Sequence, residues 1–392
     1  MSEWKKVKLG ELYEVHNGLS KGRQFFGSGY PFLTFSTVFN NWFLLKELDS
    51  LVQSSEKERE ACSIRKGDVF ITRTSETMDE LGMSSVALRD YPNATYNGFT
   101  KRLRPITDKV IPEYIGYYLR SPKFRVKFMA FSTMTTRASL ANADLLGMEV
   151  EIPSKEEQHR IATILSRYDS LIENYQKQIK LLEEAAQRLY KEWFVDLHFP
   201  GYENTKIIDG VPEGWEKKPV DTIYSIKYGK NLSTKLISEN GKFPVYGANG
   251  VIGYYDKANC NEQVVLITSR GNGSGDVLMT YHKDAFITNN SFIVSPIEDY
   301  SYCQLPFTYQ FLKNANFRAV RTGAAQPQLT NQSIHTVDVV LPSKDVIIDY
   351  CDKAFYTNKK IILLKNQIRL LTEARDRLLP KLMSDEISMF IY

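Results

Sequence analysis

The strongest constraint on this chain is that its sequence is written twice. Trp4 opens a charged segment that returns at Trp215, and the glycine turn at Gly18 returns at Gly229, both at an offset of 211 residues. Self-similarity of this kind is the signature of a repeated structural unit. We therefore expect two copies of one fold within the chain.

A second pair of landmarks repeats at an offset of 189 residues. The Ile-Pro-Ser-Lys segment 152–155 matches 341–344, and the segment that begins at Gln178 matches the one that begins at Gln367. Because 211 minus 189 is 22, the second copy is 22 residues shorter. Each copy has a tryptophan, a glycine turn, a globular stretch, a Pro-Ser-Lys boundary and a helix, in that order.

Both copies end in a heptad pattern. From Ile161 to Trp193 apolar or small residues recur at alternating spacings of four and three, which is typical of a coiled-coil seam. The matching seam of the second copy breaks only at Thr357 and Arg375. The residues predicted to pair the two helices are Ile161, Leu165, Tyr168, Ile172, Ile179, Leu182, Leu189, Ile361, Leu364, Ile368, Leu371 and Leu378.

A helix of about 35 residues is roughly 50 Å long. A two-fold-like relation between the copies would make the helices antiparallel and hold the globular parts at opposite ends of a rod. A compact bundle with the domains side by side is the alternative. We predict globular domains at 1–153 and 215–342, a central helix at 154–195, a linker at 196–214 and a second helix at 343–392.

The globular parts have the pattern of short strands broken by turns. Residues 67–74 read as a turn and a half-buried strand, with 263–271 as the counterpart. Residues 96–99 and 289–292 mark turns that we take as equivalent. Short helices are expected at 114–119 and 306–312. The sequence therefore predicts two strand-rich α+β domains.

The composition is that of an ordinary folded protein, with 43% hydrophobic and 24% charged residues. No apolar run approaches the roughly 18–20 residues that span a bilayer, and the first residues lack a signal-peptide core. We expect a cytoplasmic chain with no membrane partner. The four cysteines have no Cys-x-x-Cys spacing, which favours reduced structural thiols.

Positive charge is concentrated in one stretch. The net charge is only +4, yet nine basic residues stand against two acidic ones between Lys101 and Arg137. Such a patch would release counterions from a phosphate backbone. A solvated basic face explains the stretch equally well when it is taken alone.

The sequence lacks the reactive motifs of nucleic-acid enzymes. It has no Asn/Asp-Pro-Pro-aromatic tetrapeptide of an adenine methyltransferase, and the glycine-rich segment 271–275 lacks the Lys-Ser/Thr of a phosphate loop. Glu216 and Lys218 lack the upstream acidic partner of a nuclease, and the five histidines have no metal-ligand spacing. We predict no catalytic residue and no metal site.

Polar and basic residues on the turns are the remaining candidates for function. Arg73 and Arg270 take nearly equivalent strand ends, as do Asn97 and Asn290, and Arg and Asn suit guanine and adenine edges in the major groove. Phosphate contacts are predicted for Lys101, Arg102, Lys230, Lys235, Arg318 and Arg321. Arg137 and Gln326 complete the set of candidate DNA-binding residues.

Two motifs in the first copy are specific enough to indicate a family. In the segment 145–165, a strand end with Pro153 leads to a Glu157-Gln158 pair and a helix start at Ile161. The second motif is the Leu-Gly-Glu-Leu that follows Trp4. With these motifs, and over essentially its whole length, the chain resembles the specificity subunit of type I restriction-modification systems.

The second copy departs from this pattern at two places. Ile347 stands where the first copy has Gln158, and Val220-Asp-Thr-Ile replaces Leu-Gly-Glu-Leu. We therefore expect the partner contacts of the second copy to be less regular.

The resemblance implies two target-recognition domains that each read one half of a bipartite asymmetric sequence in double-stranded DNA. It implies an antiparallel helix pair that sets the gap and docks two methyltransferase subunits, and through them restriction motor-nuclease subunits. S-adenosylmethionine, ATP and Mg are expected only on those partners. This chain is expected to bind no cofactor and to be non-catalytic by itself.

The competing interpretation is a coiled-coil protein-interaction scaffold that does not read DNA. A self-sufficient methyltransferase or nuclease is a third. The basic stretch 101–137 discriminates the first two, because a reader predicts DNA affinity that falls steeply with salt and a scaffold predicts little affinity.

Overall fold

The computed structural model describes residues 4–75, 80–131, 133–134, 138–323 and 326–384, so the candidate Arg137 lies outside the described residues. The chain divides into two compact units. Unit 1 consists of Met1–Ile172 and Leu370–Tyr392, and unit 2 of Glu173–Arg369. Each unit contains one globular domain with parts of two long helices.

The domain of unit 1 is built from short strands and helices. Its strands are β1 (Lys5–Lys8), β2 (Tyr13–Asn17), β3 (Phe26–Leu33), β4 (Leu51–Val52), β5 (Val69–Thr72), β6 (Thr74–Ser75), β7 (Ser84–Val86), β8 (Thr95–Tyr96), β9 (Thr100–Pro105), β10 (Thr133–Met134), β11 (Ala138–Ser139) and β12 (Glu149–Ile152). Its helices are α1 (Phe35–Asn40), α2 (Glu56–Ala61), α3 (Pro112–Arg120), α4 (Pro122–Phe131) and α5 (Asn142–Gly147). Short 3-10 turns lie at Leu9–Glu11 and Arg23–Phe25.

Two main sheets and one closing strand pair organise this domain. One sheet has the order β2-β9-β5-β7 and the other β4-β3-β8, with β3 parallel to β8. The first strand, β1, pairs antiparallel with the last, β12, so that Lys5 lies opposite Ile152. A small third sheet has the order β10-β11-β6.

After the central helix, α6 (Lys155–Phe194), unit 2 continues with its own domain. Its strands are β13 (Ile207–Ile208), β14 (Val211–Pro212), β15 (Glu216–Pro219), β16 (Tyr224–Tyr228), β17 (Phe243–Gly247), β18 (Gly250–Tyr255), β19 (Val265–Thr268), β20 (Val277–Met279), β21 (Phe286–Ile287), β22 (Ser291–Pro296) and β23 (Asp338–Leu341). Its helices are α7 (Leu305–Asn314) and α8 (Asn331–His335), and the C-terminal helix α9 (Lys344–Met383) follows. Its 3-10 turns are Tyr202–Asn204, Val220–Thr222, Thr234–Leu236, Glu298–Tyr300 and Phe317–Val320.

The two domains have the same strand order. In unit 2 the four-stranded sheet is β16-β22-β19-β20, the three-stranded sheet is β18-β17-β21 with β17 parallel to β21, and β15 pairs antiparallel with β23. Each of these elements has a counterpart in the order of unit 1. The repeat in the sequence is thus a repeat of topology within one α+β fold.

The glycine landmark of the repeat has a steric cause. A Cβ on Gly18 would lie 2.2 Å from the Asn97 carbonyl oxygen, and one on Gly229 would lie 2.3 Å from that of Thr288. Real Cβ atoms do not approach a carbonyl oxygen so closely. Only glycine therefore fits at these two positions, where the turn passes directly beside the carbonyl group.

The central strands of both domains are buried on both faces. All four residues of β5 and all four of β19 are buried, which corrects the prediction of half-buried strands. A helix covers each four-stranded sheet, since α3 packs against β7 and α7 against β20. The predicted short helices are confirmed. Aromatic side chains fill these cores, including Tyr114, Tyr117, Phe124 and Phe128 in unit 1 and Tyr224, Phe292, Phe307 and Tyr350 in unit 2.

Both long helices are 40 residues in length. Within the described residues none of the helices is long and apolar enough to cross a membrane. All four cysteines are free and buried, in agreement with the prediction of structural thiols.

Candidate nucleic-acid interface

In unit 2, the loop after β19 is the centre of a group of polar residues. The loop 269–275 carries exposed Arg270 and contains Gly271 and Gly275 at φ values of +81° and +87°, a region that favours glycine. The backbone of Gly271 donates to the Pro327 carbonyl at 2.9 Å. The segment 326–329, which begins with exposed Gln326, is thereby held against the loop.

A second pair of segments adjoins this loop. The backbone N–H of Ser269 donates to the Asn290 carbonyl at 2.8 Å, and that of Asn289 donates to the Lys230 carbonyl at 3.1 Å. Lys230 is exposed and Asn290 is partly exposed. The structure therefore brings Lys230, Arg270, Asn290 and Gln326 onto adjoining loops at one end of the sheet.

Two further arginines near the loop are engaged in hydrogen bonds within the domain. Arg318 forms an ion pair with Asp276 at 2.5 Å, and its Nε lies 2.8 Å from the same carboxylate. Arg321 donates through Nε to the Arg318 carbonyl at 3.0 Å. Lys235 is exposed on the turn Thr234–Leu236, and no hydrogen bond between described residues joins its side chain to the group.

In unit 1, the matching end of the sheet is formed by Arg73, Asn97 and Phe99. The backbone of Arg73 donates to the Phe99 carbonyl at 3.0 Å, and the backbone of Phe99 donates to Oδ1 of Asn97 at 2.7 Å. The Asn97 side chain thus stabilises its own turn. That role leaves its Oδ1 already engaged in a hydrogen bond.

Backbone hydrogen bonds define which residues of the two domains are equivalent. Ser269 donates to Asn290 as Arg73 donates to Phe99, and Leu19 bridges Asn97 as Lys230 bridges Thr288. The counterpart of Arg73 is therefore Ser269, and the counterpart of Asn290 is Phe99. The predicted equivalence of Asn97 with Asn290 is wrong by two residues, because both turns contain an asparagine at different places.

The basic stretch does not form the exposed patch that the sequence suggests. Arg102 is 2% exposed and donates to the Ser63 carbonyl at 2.7 Å, so this side chain does not fit the predicted phosphate contact. Lys101 is 5% exposed and donates to Oδ1 of Asn142. Burial lowers the pKa of Lys101, and the charge of Arg73 lowers it further.

Other cations of the stretch also bond within the domain. Arg104 pairs with Asp68 at 2.7 Å, and Arg120 donates to carbonyl groups of four residues, among them Ser84 at 2.7 Å. Lys123 and Lys127 both pair with Glu151. Most of the basic side chains of this segment therefore bond to groups of their own domain.

The boundary motif has a structural role in the first copy. Gln158 is fully buried, accepts from the Ile111 N–H at 2.9 Å, and donates to the Lys109 and Pro153 carbonyls at 3.0 Å. These bonds fasten the start of α6 to the domain. Ile347, its counterpart, is also fully buried but makes only apolar contacts through its side chain.

The helix-seam residues lie in two clusters. In unit 1, Ile161 and Leu165 belong to the core that includes Leu379 and Leu382, with Leu378 packed against it. In unit 2, Ile179 clusters with Ile361 and Leu364, with Leu182 and Ile368 packed against them. Leu189 packs against the unit 2 core, whereas Tyr168, Ile172 and Leu371 are partly exposed.

Sequence reasoning missed two features of unit 1. Arg375, a break in the heptad seam, pairs with Asp169 at 2.6 Å, and Asp169 also accepts from the Tyr117 hydroxyl at 2.5 Å. The break itself was the available signal. Phe99 is 55% exposed, and an aromatic residue directly after an Asn-Gly pair could have marked it as a turn residue presented to solvent.

The described residues contain no group of three or more His, Cys, Asp or Glu side chains that could hold a metal ion.

Two α+β domains with the same strand order, together with two long helices, define a protein built on an internal repeat. A family model described as the type I restriction modification DNA specificity domain matches residues 1–184 and 212–373. The chain therefore belongs to the type I restriction-modification specificity subunits.

Relatives of full length agree. The chain is 26% identical to the type I restriction enzyme MjaIX specificity subunit of Methanocaldococcus jannaschii, over 98% of this chain and 94% of the relative. It is 23% identical to the HindI specificity subunit of Haemophilus influenzae, over 99% and 100%. The crystal structure of the S subunit from M. genitalium has the same fold, with a TM-score of 0.57 and 19% identity over 97% of this chain and 96% of that one.

Proposed function

We propose that each globular domain reads one half of a bipartite, asymmetric sequence in double-stranded DNA. The observation that carries this proposal is that one backbone frame presents different side chains at matched positions. Phe99, which is exposed, and Asn290, which is partly exposed, are equivalent. An aromatic ring and an amide contact different base edges, so two such readers in one chain select two different half-sites.

The loops at the sheet ends suit DNA because of their chemistry. Exposed Arg270 and Gln326 are side chains that pair with base edges, while Lys230 is suited to a phosphate. The glycine-containing loop 269–275 allows close approach of a backbone to a ligand, since a Cβ on Gly271 would meet nothing within 4 Å.

We further propose that α6 and α9 pair as an antiparallel coiled coil related by a pseudo-two-fold axis. Contacts within unit 2 support this arrangement, because Glu183 pairs with Lys365 while Tyr190, further along α6, contacts Tyr350, which is earlier in α9. The same inverse order holds in unit 1, where Asp169 pairs with Arg375. Ile161 and Leu165, earlier in α6, share a core cluster with Leu379 and Leu382, which are later in α9.

The helix pair sets the gap between half-sites and docks two methyltransferase subunits, through which restriction motor-nuclease subunits join. Apolar side chains exposed on both helices support docking, and they include Leu171, Leu181, Tyr356, Leu363 and Leu370. The chain itself is non-catalytic and holds no cofactor, while S-adenosylmethionine, ATP and Mg belong to the partners.

Methylome sequencing of a host with and without this chain tests the reading role. We expect one chain-dependent motif with two unlike halves and a fixed gap. Contiguous palindromic motifs would contradict the proposal, and DNA affinity of the assembled complex that is insensitive to salt would favour the scaffold.

The gap-setting role has a separate test. Removing one heptad from each helix, residues 173–179 with 367–373, preserves the seam and shortens the pair by about 10 Å. At 3.4 Å per base step the gap should lose about three base pairs. Removing 173–179 alone is the control, because it disrupts the pairing. An unchanged gap in the double deletion would refute the role.

A further inference from the structure

Phe99 is the most exposed of the described phenylalanine side chains, and it lies where the other domain has Asn290. A single exposed apolar residue on a surface needs no explanation. The position of this one does need an explanation, because the same sheet end carries polar candidates in unit 2.

The turn that carries Phe99 is rigidly built. Both backbone groups of Phe99 are bonded, the N–H to Oδ1 of Asn97 at 2.7 Å and the carbonyl to the N–H of Arg73 at 3.0 Å. A Cβ on the preceding Gly98 would lie 2.3 Å from Oγ of Ser20. The ring is therefore presented from a fixed backbone, which favours a defined contact over a mobile one.

The ring is left uncovered by the fold, since Phe99 is 55% exposed at this sheet end. In the major groove at an A·T pair, the thymine C5-methyl group is an apolar feature among polar base edges. An apolar ring presented at this sheet end matches that methyl group.

We propose that Phe99 is a specificity-determining residue that contacts the methyl group of a thymine in the half-site read by the first domain. This inference rests on the proposed reading function. The half-site of the first domain then contains at least one A·T pair that is recognised through an apolar contact. In the second domain Asn290, at the position equivalent to Phe99, makes a polar contact instead.

The test uses the assembled complex of this chain with its methyltransferase subunits. Duplexes carry the methylated motif with each thymine of one half replaced in turn by deoxyuridine, which lacks only the methyl group. At one position the wild type should lose about fourfold in affinity, the change expected for one buried methyl group. Phe99→Ala should bind both duplexes equally, and Phe99→Leu should keep part of the discrimination.

The two halves of the motif provide internal controls. Asn290→Ala should leave the deoxyuridine effect unchanged and relax the other half. Thermal unfolding of Phe99→Ala should match the wild type because the ring is exposed. The inference is overturned if no deoxyuridine penalty disappears in Phe99→Ala, or if the half-site read by the first domain contains no A·T pair. A motif that is not bipartite would instead overturn the proposed function itself.

Discussion

The two recognition domains share one strand order but use arginine in opposite ways. On β9 of the first domain Arg102 and Arg104 point into hydrogen bonds with Ser63 and Asp68, and their counterparts on β22 are Ile293 and Ser295. The second domain instead leaves Arg270 exposed at its sheet end.

This difference shows that a run of basic residues in a sequence need not form a positively charged surface in the fold. A buried guanidinium is tolerated when carbonyl oxygens or a carboxylate accept its hydrogens, because the bonds offset the loss of hydration. In the first domain such groups hold loops to strands. In the second, Ile293 packs against an apolar cluster at the place of Arg102, and Arg270 stays exposed at the sheet end.

The largest expected difference between the two domains is in the stability that an arginine ion pair contributes. Arg104→Met should cost about 3–5 kcal/mol in the free energy of unfolding, because it leaves the fully buried Asp68 carboxylate without its cationic partner. Arg318→Met breaks an ion pair whose side chains are 57% and 39% exposed, and should cost less than about 1 kcal/mol. Urea unfolding monitors both, and equal losses would erase the distinction.

The next effect concerns the starts of the long helices. Gln158→Leu should cost about 2–3 kcal/mol, since the buried Ile111 N–H and two carbonyls lose their partner. Ile347→Val, in the matching position, removes one methyl group and should cost about 1 kcal/mol. The same unfolding measurement applies. If Gln158→Leu left the free energy of unfolding unchanged, the hydrogen bonds of Gln158 would add no stability beyond the packing of its side chain.

A third test addresses DNA binding by the assembled complex. Replacing both Lys230 and Arg270 with Gln should reduce the slope of log affinity against log salt by about 0.9 for each phosphate that the variant no longer neutralises. Lys177→Gln is the control, because this lysine lies on α6 with a side chain that is 69% exposed. Slopes that stay the same in the double variant would remove these two residues from the interface.

The smallest expected effect is on the reactivity of the cysteine thiols. Burial raises the pKa of the Cys303 thiol to about 12 and that of Cys351 to about 11, so both thiols stay protonated near neutral pH. Native protein should resist alkylation at both until it unfolds. Cys62 and Cys260, each 8% exposed, should react first and at similar rates in the two domains. Rapid labelling of Cys303 in the folded chain would contradict this.

Sequence patterns predicted the duplication, the equivalent strands β5 and β19, the short helices α3 and α7 and the two long helices, because these depend on local periodicity. They did not predict that Arg102 lies inside, since the facing of a strand residue is decided by its neighbours in the sheet. The match of Asn97 to Asn290 failed for a related reason. Turn residues become equivalent through tertiary hydrogen bonds, and a repeated asparagine is a poor guide to those.

In unit 1 the pairing of β1 with β12 joins the first and last strands of the domain, and in unit 2 the pairing of β15 with β23 joins the strand after Trp215 to the last strand. Strands in such a pair lie about 4.8 Å apart, whatever the chain between them does. The 22 residues by which the two copies differ are accommodated inside these closures. Each domain is in this sense a cassette with fixed ends, so the segment between its closing strands can change in length without the helices having to change.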